Sequence, residues 1–288
     1  HSGDINFLAE AYNFYRVLMQ NVVPGFWGQQ YNAALCLSKM AQELDYDQSE
    51  IDSWDTKVNY SGIHSWYNYA LDEGRHGHEN FFTFGNNAER KSWTTFGYMR
   101  TRDFPKDVAR DIVETHAVDG PAGFLTNGLI AVASRDDWDL IEIPQSFFIT
   151  PDTNYFTLMG MYATDLEEYA NTFAIDHLKK YNYNEEWGVP CAPEGIGDDY
   201  EFFGDQYSNF NAGKILVILE GIFGLSYSVI DSQFTVADNL PTQWQYMESF
   251  VPIKEDGNEV EWVRVFVKRN EAGQNVRKKI KVENNPLT

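Results

Sequence analysis

The sequence predicts a mainly α-helical fold closed by a small antiparallel β module. Apolar residues recur at three- and four-residue steps through much of residues 1–228, the spacing that gathers them on one face of a helix. From about residue 229 the period shortens to two, the alternation of a half-buried strand. The charge turns at the same end. Residues 254–288 carry 8 basic and 6 acidic side chains, whereas the preceding 253 carry 14 and 37. The chain therefore reads as an α-helical domain, 1–228, followed by a β module, 229–288.

In chain order, residues 4–20 read as a helix. Ile5, Leu8, Ala9, Tyr12 and Tyr15 form one apolar face, and Phe7, Phe14 and Leu18 a second, so packing on two sides is expected. Pro24-Gly25 breaks this helix. A second helix is expected over about 28–44, with Tyr31, Ala34, Leu35 and Leu44 on its stripe. The acidic run Asp45 to Asp55 reads as a loop or a solvated face. Residues 56–104 show no clean period, and long aromatic-rich segments of this kind often carry function. Helix returns at about 105–116, where Pro105 suits the first turn, and a short helix is expected over 121–134. The clearest helix covers about 158–181. Leu166, Tyr169, Ala170, Phe173, Ala174, His177 and Leu178 form its stripe, and Lys179 and Lys180 suit its C-terminal end. A Gly/Pro-rich loop, 182–210, leads into a nearly all-apolar helix over 211–225, which should be deeply buried. In the β module, Val263, Val265 and Val267 alternate with Arg264, Phe266 and Lys268. A second alternating run, Val276 to Val282, follows after Ala272-Gly273.

Composition narrows the function. The chain has 288 residues with 43% apolar and 23% charged side chains, the balance of a folded globular protein. Its net charge of −21 repels phosphate backbones, so no nucleic-acid partner is expected. No apolar run approaches the roughly 18 residues of a bilayer span. Eight Trp, 17 Tyr and 20 Phe give an aromatic content that fills cores and also supplies stacking faces for sugar rings. Two distant cysteines, Cys36 and Cys191, fit no zinc or redox motif, and buried inert thiols are the expected state. The opening His1-Ser2-Gly3 reads as a processed product or a fragment. With the sequon Asn59-Tyr60-Ser61 and the acidity, it favours an extracellular or cell-surface protein. His76-Gly77-His78-Glu79 has poor ligand spacing, and no metal or cofactor is expected. His64 reads as loop packing and His177 as a core histidine. Serine-elbow, phosphate-loop and dinucleotide motifs are not present.

Chemistry concentrates in 182–211. Seven carboxylates (Glu185, Glu186, Glu194, Asp198, Asp199, Glu201 and Asp205) lie among Trp187, Tyr200, Tyr207 and several amides. Carboxylates supply general acid and base, aromatics stack on sugars, and amides bond hydroxyls. Glycosidic cleavage uses these ingredients, with two carboxyls flanking the bond. An acidic surface loop with a calcium-like or merely solvated role is the plain alternative.

The stretch Gly188-Val189-Pro190, then Tyr200-Glu201-Phe202-Phe203-Gly204-Asp205-Gln206-Tyr207-Ser208-Asn209-Phe210-Asn211-Ala212-Gly213 before an apolar helix, resembles the late catalytic segment of (α/α)6-toroid glycoside hydrolases. Trehalases and processing α-glucosidases are the nearest. Leu240-Pro241-Thr242-Gln243-Trp244 is similar to the passage into their C-terminal β module, and Thr150-Pro151-Asp152-Thr153-Asn154-Tyr155-Phe156 to the start of an inner helix. The resemblance covers about residues 145–288. It implies a toroid-type helical array, whole or incomplete, and an inverting glycoside hydrolase with carbohydrate as partner. Glu201 would be the base, and Asp119 or Asp152 the acid. Trp187, Tyr200, Gln206, Tyr207, Asn209 and Asn211 would bind the sugar. An N-terminal fragment of the same precursor would complete the toroid in this reading. A second reading is an inactive glycosidase-fold subunit of an extracellular assembly, partnered by identical subunits.

Overall fold

The computed structural model describes residues 5–21, 29–58, 83–84, 87–91, 99–100, 104–119, 123–126, 128–131, 151–180, 192–196, 202–228, 233–237, 239–254, 260–273 and 275–282. Most of the regular structure is helical, accompanied by small antiparallel sheets. The helices are α1 (Ile5–Asn21), α2 (Gln29–Glu43), α3 (Gln48–Asp55), α4 (Lys106–His116), α5 (Pro151–Ala163), α6 (Glu167–Lys180) and α7 (Ser208–Leu216). The strands are β1 (Thr83–Phe84), β2 (Asn87–Lys91), β3 (Leu125–Thr126), β4 (Leu129–Ile130), β5 (Ala192–Ile196), β6 (Phe202–Tyr207), β7 (Leu225–Ser228), β8 (Gln233–Val236), β9 (Tyr246–Lys254), β10 (Val260–Arg269) and β11 (Asn275–Val282). The first eight pair as four two-stranded hairpins, and the last three form one sheet in the order β11-β10-β9.

Helices α1 to α3 build one core around Tyr12, Met19, Ala34, Leu37, Ala41, Ile51 and Trp54. Among the described residues, helix α1 packs through its Tyr12 and Met19 side. Tyr12 and Met19 are buried, but Phe7 (65% exposed), Phe14 (62%) and Leu18 (44%) are not, which corrects the two-sided expectation. Helix α2 buries Ala34, Leu37, Ser38 and Ala41, a stripe rotated from the expected one, and leaves Cys36 exposed as a free thiol where a buried one was expected. From Gln48 the acidic run is a helix and not a loop, and Asp45, Asp47 and Asp52 are exposed, as a solvated face would have them. Asp47 accepts a hydrogen bond from the Glu50 backbone N–H at 2.9 Å, a helix N-cap, and α3 then buries Ile51 and Trp54. Acidic residues start this helix because capping and the helix dipole both favour carboxylates there.

A buried polar link ties α1 to α3. The Tyr12 hydroxyl donates to Glu50, and the Trp54 Nε1–H lies 3.1 Å from the Tyr12 oxygen. The Tyr12 hydrogen bond, helped by Trp54 and Arg16, holds the Glu50 carboxyl below its ordinary value of 4.5 against the opposing effect of burial. A depressed folded pKa stabilises above the unfolded pKa and loses that stabilisation as pH falls through the folded value. The melting temperature is therefore expected to drop as pH is taken from about 5 to below the folded pKa. Glu50→Gln should flatten that drop in a thermal-melt series; an unchanged slope would remove Glu50 from the explanation.

The second core runs from Met99 to Val267 and joins α4 to α6, the π-helical segment after α7, and the C-terminal sheet. The expected helix over 121–134 is instead a hairpin. β3 and β4 pair as Leu125↔Ile130 and Thr126↔Leu129, and Gly128 takes the left-handed φ of 78° in the turn. Asn127-Gly128 is the sequence cue for such a two-residue turn. Asn154 of α5 bonds this hairpin twice. Its Oδ1 accepts from the Ile130 N–H (2.9 Å) and its Nδ2 donates to the Ile130 carbonyl (3.0 Å). The expected single helix over 158–181 is two, α5 and α6, turned at Asp165, whose φ is 60°. The predicted stripe lies on α6, with Leu166, Ala170, Phe173, Ala174 and His177 buried.

The apolar run after Asn211 is helical but not wholly buried. Ile215 is 57% exposed, whereas Val217, Gly221, Ile222 and Phe223 pack inward. Its second half, Val217–Ile222, widens into a π-helix, with the Phe223 N–H bonding the Ile218 carbonyl at 2.9 Å. In the C-terminal sheet Val265, Val267 and Met247 are buried, and the alternating residues face outward.

Candidate functional site

β5 and β6 form an irregular hairpin, with Ala192↔Tyr207, Pro193↔Gln206, Gly195↔Phe203 and Ile196↔Phe202 paired and a bulge between Pro193 and Gly195. Strand β6 runs straight into α7 at Ser208. The hairpin packs on α7 and on α5, and α5 packs on α7. Glu201, Tyr200 and Trp187 lie outside the described residues. In the sequence Glu201 immediately precedes Phe202, the first residue of β6. Gln206 and Tyr207 end β6, while Asn209 and Asn211 are the second and fourth residues of α7. A helix advances about 100° per residue, so those two positions stand roughly 200° apart around its axis. Asp152 is the second residue of α5 and belongs to the same unit. Asp119 stands exposed in the bend after α4.

Beside these positions lie polar residues that sequence reasoning did not select. Tyr155 follows Asp152 by three residues, the spacing of neighbours on one helix face. Its hydroxyl donates to Glu220 at 2.9 Å, and the Arg100 guanidinium sits 5.9 Å from its ring centroid. Burial above all pushes the Tyr155 phenol up to about 12, so it remains a proton donor at neutral pH. The Tyr162 phenol, raised mainly by burial, donates to Asn171 at 2.9 Å. Lys214 lies in the last turn of α7, half-buried, and burial pushes its ammonium down to about 8. His177 is fully buried on α6. Burial and then the Lys214 charge push it down to about 3, so the imidazole is neutral.

These residues share one sequence signal. Lys214 and Glu220 are isolated charges bordering or interrupting an apolar run, where desolvation costs most unless the charge has a purpose or a partner. Chemically, the unit offers a carboxylate held by a phenol, an amine that exchanges protons near neutrality, and the strand that Glu201 leads. A π-helical turn within it is the kind of irregularity that often accompanies functional sites. Among the described residues no group of three His, Cys, Asp or Glu is placed to hold a metal ion, and no helix is long and apolar enough to cross a membrane. Compared with protein-family models, curated proteins and solved structures, the chain matches none.

Proposed function

We propose that the chain is an extracellular, carbohydrate-active protein of glycoside-hydrolase type, its helices forming an (α/α) toroid-type array, whole or incomplete. The supporting observation is the packed unit of β5–β6, α5 and α7, which gathers the position of Asp152, the strand that follows Glu201 and the Gln206–Asn211 segment. In this reading Glu201 activates water, and Asp152 protonates the leaving oxygen. Asp152 is preferred because it belongs to α5 of this unit, and Asp119, exposed in the bend after α4, is the other candidate acid. Inversion requires a carboxyl separation of about 6.5–9.5 Å. The test is a panel of α- and β-linked oligosaccharides assayed for reducing-end release. Glu201→Gln should lower kcat by about 10²- to 10⁴-fold with KM little changed, the usual worth of a general base. Asp152→Asn should act alike, and Asp119→Asn should not. Full activity in Glu201→Gln, or a folded chain inert on every substrate, would end the reading.

The open stripe of α1 favours the second reading, an inactive glycosidase-fold subunit of an extracellular assembly. Phe14 and Leu18, four residues apart on α1, are exposed on one helix side, an apolar patch of the sort that marks protein contacts. Native mass, with non-reducing and reducing gels and peptide mapping of co-purifying chains, separates the two. A discrete assembly dissociated by Phe14→Ser, joined to inactivity on the panel, selects the subunit.

A further inference from the structure

The outward face of the β9–β10–β11 sheet has a composition unlike the rest of the chain. Register lays it out in four rows: Tyr246, Lys268 and Val276; Glu248, Phe266 and Lys278; Phe250, Arg264 and Ile280; Pro252, Trp262 and Val282. Tyr246 is 61% exposed, and Phe250 and Val276 are exposed as well. The Tyr246 and Phe266 rings lie 6.1 Å apart, and the Arg264 guanidinium sits 5.8 Å from the Phe266 centroid while pairing with Glu248. At one end of the face a groove of about 390 Å³ is lined by Phe266, Lys268, Arg269, Asn270, Glu271 and Val276. Arg269 is fixed as its wall, donating to the Leu240 and Pro241 carbonyls at 3.1 Å each. Lys268 makes no ion pair with any described residue.

We propose that this face binds an acidic glycan, a polysaccharide carrying carboxylate or sulfate groups. Two features select that occupant. The face and groove carry Arg264, Lys268 and Arg269 against Glu248 and Glu271, with Lys278 at the register position beside Phe266, on a chain of net charge −21. Charge complementarity therefore draws an anion here and away from the rest of the surface. The cations are interleaved with aromatic and aliphatic side chains, so the groove meets the apolar face of a sugar ring as well as its charge. Glu271 accepts from a sugar hydroxyl at the turn. The site is separate from the Glu201 unit and does not rest on the catalytic reading.

The experiment is calorimetric titration of the full chain with oligogalacturonate, with malto-oligosaccharide as the neutral probe and polyaspartate as the non-sugar polyanion. Oligogalacturonate should bind, weaken with added salt as exposed charge contacts do, and outbind both other probes. Lys268→Glu and Tyr246→Ala should each weaken it about tenfold, the loss expected of a central contact. Both positions are exposed, so circular dichroism should show an unchanged fold, and Lys268→Gln should give an intermediate loss. Glu201→Gln should bind as the parent chain does, whatever its activity. Polyaspartate binding as tightly as oligogalacturonate would reduce the face to a polyanion site and overturn the proposal. So would parent-like affinity in both variants, or self-association of the chain that Lys268→Glu abolishes.

Discussion

Trp54→Ala should destabilise the α1–α3 unit by about 3–5 kcal/mol, the range for truncating a large buried aromatic. Trp54 is 1% exposed and is among the largest fully buried side chains. Its removal opens a cavity between Tyr12, Leu37 and Ile51 and also takes away the indole N–H that bonds the Tyr12 oxygen. Lys57, whose ammonium sits 4.2 Å from the indole centroid, loses its aromatic partner too. Trp54→Phe keeps most of the apolar volume and loses chiefly the hydrogen bond, so a smaller cost of about 1–2 kcal/mol is expected. Urea melts followed by circular dichroism give the numbers, and amide exchange in α3 tells whether the unit opens by itself. A loss below 1 kcal/mol for alanine would show that this core is not a packed one.

Gly224→Ala is the second large effect, about 2–5 kcal/mol. Gly224 has φ 55°, where an L side chain costs about 1–2 kcal/mol. A Cβ built there falls 2.1 Å from the Ala237 Cβ and 3.0 Å from the Ala237 backbone, and overpacking of this kind costs about 1–3 kcal/mol more. The strain has nowhere to go, since the Ala237 N–H bonds the Gly224 carbonyl at 3.0 Å and pins the two segments together. Adding Ala237→Gly should relieve the Cβ clash and leave the φ penalty. Partial rescue in a double-mutant cycle is the expected result; no rescue would place the cost elsewhere.

Much of the helical frame was legible because its period is strong. The stripe on α6 and the alternation of β10 with β11 could be read directly, since burial on one face writes its spacing into the residues. The misread places are those where local chemistry outweighs period. Asp47 turns an acidic run into a capped helix, and Asn127-Gly128 turns an apolar run into a hairpin. Thr164 and Asp165 end α5 although the apolar pattern continues across them. Strand β9, Tyr246–Lys254, escaped notice because Pro252 interrupts its alternation. For the candidate site, composition led to 182–211. Tyr155, Lys214 and Glu220 were hidden because single polar residues in apolar helices carry no spacing of their own.

The two bonds from Asn154 to Ile130 have a consequence beyond holding α5 against β3–β4. A two-stranded ribbon leaves its outer edge open, and an open edge is a template on which another chain can add. The amide of Asn154 fills the donor and the acceptor of Ile130 on β4, as a peptide group of an added strand would. One side chain on a helix thus stops growth of the ribbon at that residue. Removal of the amide would leave the buried N–H and C=O of Ile130 without these partners, which costs the fold and also reopens the ribbon to an added strand.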